Sequence, residues 1–296
     1  MIGRISTLQF NNSGISTILE AQSQLTRLQE QIGTGKRILS PADDPSAAAK
    51  LINLKSELSR LASQQKNIAS INSALSFEES ALSSANDLLQ RVRELAVRGQ
   101  NGTLADRDRN AISVEIDELR AQLLNLGNSR NAAGEYIFAG SATNAPAYSE
   151  DGTFQGDEVV RQVNIGAGVR VAEGHTGVEV FEDLDGIANT FAIIEQLSNA
   201  IRQNEEPALA DRFDDLDEAI EQLSLVRTSV GSRMNWVDDQ AALNENFNLG
   251  LTRTISEIED LDIAEAIGRL QLQMVSLQAA QQTFVKTQNL SLFNYL

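Results

Sequence analysis

The chain has 296 residues and a formal net charge of −17, with 42% hydrophobic residues but only 5% aromatic ones. So acidic a balance excludes a phosphate backbone as partner, because nucleic-acid binding needs a basic surface. With no cysteine, disulfides, thiolate metal sites and cysteine nucleophiles are excluded too, and a single histidine argues against a zinc centre.

Four prolines in the whole chain leave room for long uninterrupted helices, and the aliphatic composition suits helices packed through leucine and isoleucine seams. The charge is unevenly placed. Residues 1–40 set Arg4, Arg27, Lys36 and Arg37 against Glu20 and Glu30, and residues 264–296 set Arg269 and Lys286 against Glu265. The negative charge therefore sits in the middle, where it keeps the free molecule soluble. The near-neutral ends, rich in Gln, Ser and Asn, are able to pack against copies of themselves. The start, Met1 to Phe10, carries no apolar run of signal-peptide length. No stretch is long and apolar enough for membrane insertion.

The first predicted element is a helix with the stripe Ile18, Leu25 and Ile32. Gly33-Thr-Gly35-Lys36 then reads as a loop; it resembles a fragment of a phosphate-binding loop only in part, because its spacing fails. From Pro45 the apolar heptad Leu54, Leu61, Ile68, Leu75, Leu82, Leu89 and Ala96 specifies a long helix lying along a partner helix. At 1.5 Å per residue it would run roughly 75 Å. Asp44 is the predicted N-cap, Pro45 the first helical residue and Gly99 the end. Gln65, Asn72 and Asn86 interrupt the seam; a drifting stripe in a bundle explains them better than register-fixing polar pairs.

A turn at Asn101-Gly102 leads to a shorter helix with Ile112, Ile116, Leu119, Leu123 and Leu126 on one face, Thr103 with Asp106 as its capping pair and Gly127-Asn128 as its stop. From Tyr136 to about Asp185 the pattern changes. Val159, Val163 and Ile165, then Val169 and Val171, then Val178 and Val180 have strand spacing, and Glu173-Gly-His-Thr-Gly177 reads as the hairpin turn before the last pair. Helical period returns at Ile187, Phe191, Ile194, Leu197 and Ile201. A second very long helix starts near Pro207, with Phe213, Leu216, Ile220, Leu223, Val230, Met234, Val237 and Ala241 on its seam. The last stripe runs Ile263, Ile267, Leu270, Met274, Leu277 and Phe284.

The expected fold class is mainly α with an inserted β domain. A long antiparallel helical bundle or coiled coil is formed by the N- and C-terminal segments, and a small β-rich domain lies outside it. Residues 1–40 and 263–296 are expected to be terminal coiled-coil assembly segments, disordered in the monomer. Residues 41–135 and 205–262 form the helical bundle, and residues 136–204 the outer insert. The bundle core falls on Leu54, Leu61, Ile68, Leu75, Leu82, Leu89, Ile220, Leu223 and Val230. The assembly interface falls on Ile18, Leu25, Ile32, Ile263, Ile267, Leu270, Met274, Leu277 and Phe284.

No chemistry is expected. His175, in a predicted turn, reads as a solvent-facing residue, and nothing resembles Gly-x-Ser-x-Gly. The acidic clusters at Asp43-Asp44, Asp214–Glu218 and Glu257–Asp262 lack the glycine and terminal glutamate of a calcium loop and read as caps or solvated faces. No catalytic residue, no metal and no cofactor follows.

Two separated motifs carry a resemblance. Gln31-Ile-Gly-Thr-Gly-Lys-Arg-Ile-Leu-Ser-Pro-Ala-Asp-Asp-Pro-Ser-Ala-Ala-Ala49 is similar to the N-terminal signature of flagellins and their relatives. Val230-Gly-Ser-Arg-Met-Asn235 and Ser256-Glu-Ile-Glu-Asp-Leu-Asp-Ile-Ala-Glu265 resemble the family's C-terminal segments. Within the family the ending Leu290-Ser-Leu-Phe-Asn-Tyr-Leu296 resembles that of junction subunits, with Asn294 a departure; so do Gly134–Thr143, Phe154–Asp157 and Gly177–Phe181. The resemblance implies a non-enzymatic structural subunit of the bacterial flagellum, secreted by type III export without a cleaved signal and forming the ring between hook and filament. A filament subunit is the alternative role. The implied partners are hook-associated protein 1, flagellin, further copies of this chain, an export chaperone and the type III export apparatus. The implied location is extracellular, at the hook–filament junction.

Overall fold

The computed structural model describes residues 7–182 and 189–289. The expectations placed on Ile187 and on Leu290–Leu296 lie outside them. In chain order the elements are α1 (Thr7–Thr34), α2 (Pro45–Gly99), α3 (Asp106–Gly127), β1 (Gln162–Gly166), β2 (Val169–Ala172), α4 (Gly177–Phe181), α5 (Thr190–Gln203), α6 (Glu206–Glu259) and α7 (Ile263–Asn289). Contacts divide them into two compact units, one of Met1–Arg60 with Phe247–Leu296 and one of Leu61–Asn246. The boundary falls inside α2 and inside α6.

α2 begins where its sequence places it. The Ala47 N–H donates to Asp44 Oδ1 at 2.9 Å, which satisfies one of the free donors of the first turn, and Pro45 at N1 has no N–H to satisfy. In the second unit its seam is the core: Leu61, Ile68, Leu75, Leu82 and Leu89 are all buried, with Ile71, Ala85 and Val92 beside them. Leu54, in the first unit, is half-buried. From α6, Leu223 and Val230 are buried and Ile220 half-buried in the same core as Leu75 and Leu82. The polar seam positions part company. Gln65 is exposed, as a drifting stripe demands, whereas the Asn72 side chain donates to Asp238 of α6 at 2.8 Å.

α3 and α5 pack through a reciprocal pair. Ser113 Oγ donates to the Ser198 carbonyl at 3.0 Å, and Ser198 Oγ lies 3.2 Å from the Ser113 carbonyl and 2.6 Å from Asp117 Oδ1. α3 starts at Asp106 with Ala105 as N-cap and no side-chain cap. The predicted Thr103–Asp106 cap does not form, because the Thr103 hydroxyl donates instead to Asn101 Oδ1 at 2.8 Å. Asp106 and Asp108 in the first turn face the positive end of the helix dipole in its place.

Between α3 and α5 the only sheet among the described residues is the antiparallel hairpin β1–β2, with Val163 opposite Val171. Its turn holds Gly168 at φ +78°, a conformation glycine adopts without strain. Asparagines stitch the hairpin to the helices: Asn67 of α2 donates to the Asn164 carbonyl at 2.7 Å and Asn244 of α6 to the Ile165 carbonyl at 3.1 Å.

The third predicted strand pair is a helix. Val178 and Val180 belong to α4, and residues 173–177 are not a hairpin turn. Thr176 and Glu179 form a capping box, in which the Glu179 N–H donates to Thr176 Oγ1 and the Thr176 N–H to Glu179 Oε2. That Thr-x-x-Glu pairing outweighs an alternation only two residues long. The scarce aromatics gather here. The Tyr148 ring centroid lies 4.8 Å from that of Phe191 and 5.9 Å from that of Phe181, and Phe138 meets Phe181 edge-on at 5.6 Å. All four are buried and continuous with the helical core.

Candidate functional site

Within the first unit α1 and α7 pair antiparallel. A Cβ added to Gly14 would meet the Phe284 ring at 2.7 Å, and Gln273 Nε2 donates to Gln24 Oε1 at 2.8 Å; residue 14 thus faces 284 as 24 faces 273. Ile18, Leu25 and Ile32 of α1 and Leu270, Leu277 and Phe284 of α7 are half-buried. Ile263, Ile267 and Met274 are exposed at 51%, 43% and 52%, joined by Leu272 and Val275 at 74% and 66%. The nine predicted interface residues therefore divide into six with partly covered side chains and three that face outward.

The base of the pair is a joint made from the two sequence motifs. The chain turns out of α1 through Gly35, at φ +71°. Lys36 then bridges to Asp260, with the Arg37 N–H donating to the Glu259 carbonyl at 2.7 Å and the Leu261 N–H to the Gly35 carbonyl at 2.9 Å. Arg37 also donates a side-chain bond to the Ile258 carbonyl at 2.8 Å. Glu259, with a side chain only 9% exposed, takes Lys36 Nζ at 2.8 Å and Lys55 Nζ at 2.7 Å. Bonding by Lys36 and then Lys55 holds the Glu259 carboxyl below its ordinary range, and Glu259 in turn raises Lys36.

Asp43 folds the 39–43 turn, accepting from the Leu39 and Ser40 N–H groups at 2.8 and 3.1 Å and pairing with Arg27; the Leu39 bond is the main reason its carboxyl is lowered. Asp262 caps α7 through the Ala264 and Glu265 N–H groups. Ile38, Ala48, Leu51 and Ala266 are the buried apolar residues of the first unit among the described residues. Of the acidic clusters read as caps or solvated faces, Asp44 and Asp262 are caps, Asp43 instead closes the 39–43 turn, and Glu259 is a nearly buried ion-pair centre. Sequence reading missed Glu259 because its lysine partners lie two hundred positions away; its place opposite the N-terminal motif was the available signal.

The histidine is also not where a turn would leave it. The His175 side chain is 10% exposed. Its Nδ1 lies 2.7 Å from Glu78 Oε1, and its backbone N–H donates to the same oxygen at 3.0 Å. Arg233 Nη2 lies 3.1 Å from Nε2 and Arg233 Nη1 donates to the Gly174 carbonyl at 3.0 Å. Arginine has only donors, so Nε2 is the acceptor and Nδ1–H donates to Glu78. Ser229 Oγ lies 3.3 Å from Nε2. The heavy atoms imitate a serine–histidine–acid arrangement, but the lone pair that would take the serine proton already accepts from Arg233, and Ser229 lies within a continuous helix. The cluster does different work: it fixes the 173–176 segment to α2 and α6.

Among the described residues no group of three or more histidine or acidic side chains is placed to hold a metal ion, and no helix is long and apolar enough to cross a membrane.

The chain matches the bacterial flagellin N-terminal helical region over residues 5–143 and the flagellin C-terminal helical region over residues 213–296. It is 29% identical to flagellar hook-associated protein 3 of Escherichia coli, with 98% of each chain covered. It is 26% identical to a flagellin of Listeria innocua, with 83% of this chain and 82% of that one covered. A solved structure described as a flagellar hook-associated protein from Vibrio parahaemolyticus superposes with a TM-score of 0.69 at 26% identity, covering 74% of this chain and 100% of that one.

Proposed function

We propose that this chain, which belongs to the flagellin family, is a structural subunit of the junction between flagellar hook and filament. Members of the family are structural proteins, and nothing in the His175 cluster supplies an enzyme's chemistry. The observation that carries the junction reading is identity and coverage taken together. Similarity to hook-associated protein 3 is 29% over 98% of both chains, whereas the flagellin of Listeria innocua reaches 26% over 83% of this one and that of Bacillus subtilis 25% over 93%.

In this reading copies of the chain form a ring, with hook-associated protein 1 on the hook side and flagellin on the filament side. The chain reaches the flagellum through the type III export apparatus with the help of an export chaperone that holds its C-terminal region. Residues 1–40 and 263–296 act as the assembly segments, residues 41–135 and 205–262 as the bundle, and residues 136–204 as the outer part. Assembly is coupled to ordering of the ends. The outward Ile263, Ile267 and Met274 are covered only when a neighbour arrives, and fully burying such a side chain is worth about 1.5–3 kcal/mol before ordering costs. Near-neutral ends permit that approach, and the acidic middle confines repulsion to surfaces that stay apart.

Leu270→Asp tests the reading. The second unit should stay folded while the chain fails to enter the junction and cells fail to swim. Normal junctions and motility with the variant would refute it. The filament-subunit alternative, favoured by the flagellin match, predicts that the purified chain polymerises alone into long filaments, which a junction subunit does not do.

A further inference from the structure

Asn101 is the only asparagine in the chain followed by glycine. It lies in the turn between α2 and α3, where Asn101, Gly102 and Thr103 are all exposed. The Leu104 N–H donates to the Asn101 carbonyl at 3.0 Å, which closes the turn with Gly102 at its first central position. The Gly102 N–H makes no hydrogen bond among the described residues. The Asn101 side-chain oxygen accepts twice, from the Thr103 N–H at 3.1 Å and from the Thr103 hydroxyl at 2.8 Å.

We propose that Asn101 is a site of spontaneous deamidation in the folded protein. Three features of the turn favour the reaction. The nucleophile, the Gly102 nitrogen, is free and solvated, and its residue carries no Cβ to block approach to the neighbouring side chain. The electrophile, Asn101 Cγ, is fixed one residue away, so the reaction is intramolecular and its entropy cost is already met. The two Thr103 donors are aimed at the oxygen that becomes negative when Cγ is attacked.

The steps balance without any co-reactant but water. The Gly102 nitrogen loses its proton to solvent base and bonds to Asn101 Cγ. The Cγ–Nδ2 bond then breaks, and the amide nitrogen takes up a proton and departs as ammonia. Water opens the resulting succinimide at either carbonyl, giving aspartate or isoaspartate. Either product adds one carboxylate to an already acidic unit. Isoaspartate also lengthens the main chain by one methylene inside the turn closed by Leu104.

Other positions show why the site stands alone. Asn72 is followed by Ser73 inside α2, where the main-chain N–H belongs to the helix ladder. Asn128 is followed by Ser129, but its side chain is held by both main-chain groups of Tyr148 at 2.9 Å. Asp151-Gly152 shares the side-chain turn, yet Gly152 is buried and its N–H donates to the Ser149 carbonyl at 2.9 Å.

The test is incubation of the purified full chain in mildly alkaline buffer, followed by digestion and mass spectrometry. The Asn101 peptide should convert to aspartate and isoaspartate at least about tenfold faster than the Asn72 or Asn128 peptides, a difference of roughly 1.4 kcal/mol in barrier. Gly102→Ala should bring it down to their rate, and Thr103→Val should slow it several-fold. Conversion no faster than at Asn72, or conversion seen only in urea, overturns the proposal.

Discussion

Lys36 Nζ lies 2.8 Å from Glu259 Oε1, and this ion pair joins the motif that follows the first helix to the motif that precedes the last. Its strength depends on pH at both ends. Glu259 has a carboxyl lowered from its ordinary value near 4.5, so its contribution is complete above that value and disappears as pH falls through the depressed one. Lys36 is raised from 10.5, so its contribution is complete below 10.5 and is lost as pH climbs through the raised value. The joint should therefore be tightest from about pH 5 to 10 and loosen on acidification. Amide exchange at Leu261, corrected for the intrinsic rate, should show protection lost in acid by the natural chain but little further change in Glu259→Gln. A parallel pH response in the two proteins would show that Glu259 is not the controlling group.

The bond between Glu78 and His175 yields a second expectation. Glu78 is 2% exposed and the imidazole is its side-chain partner, so His175→Ala leaves the buried Glu78 carboxyl with the main-chain N–H of residue 175 in place of two donors, at a cost of about 1–3 kcal/mol. Urea unfolding should move to a lower midpoint with an unchanged slope. Adding Glu78→Leu should recover part of the loss, because the two positions share one interaction and their effects are not additive. Strictly additive losses would mean that the contact contributes nothing.

These two pairs also mark where sequence reading stopped. Every long helix was legible: the α2 heptad, the Asp44 cap and the Pro45 start are local signals, and local signals survive without knowledge of the partner. Of the outward apolar positions of α7, Ile263, Ile267 and Met274 stand in the predicted stripe, whereas Leu272 and Val275, which are more exposed, lie off it and carry no periodic signal. What joins elements was not legible. Glu259 looks like any acid near a helix end until Lys36 and Lys55 are brought to it, and His175 looks like a turn residue until Glu78 and Arg233 close over it. The short α4 was misread because two valines with strand spacing carry less information than the Thr176–Glu179 box beside them.

At the far end of the terminal pair Gly14 faces Phe284, and two effects there oppose each other. Gly14→Ala improves helix propensity by about 1 kcal/mol, but its Cβ would stand 2.7 Å from the ring, closer than side chains tolerate. In the natural background the ring must swing away from α1, so protection of α1 against amide exchange should stay level or fall. In a Phe284→Ala background the same substitution meets no ring and should raise protection. An equal response in both backgrounds would remove Phe284 from the account of how α1 and α7 pair.

Truncating an apolar side chain has opposite consequences in the two units, and this separates folding from assembly. Leu75 is fully buried in the second unit, so Leu75→Ala removes both transfer energy and packing, a loss of about 2–5 kcal/mol. Met274 is 52% exposed on α7, so Met274→Ser should change the stability of the isolated chain by no more than about 0.5 kcal/mol. Incorporation into the junction should reverse that order when each variant is presented already folded. Leu75→Ala leaves the outward face intact and should still assemble, whereas Met274→Ser removes apolar area that a neighbour would cover and should assemble poorly. Thermal unfolding of the purified variants, set beside their recovery in isolated hook–filament junctions, reads both quantities. If Met274→Ser melted far below the natural chain, the outward face would belong to the fold of the single molecule, and assembly through it would need another explanation.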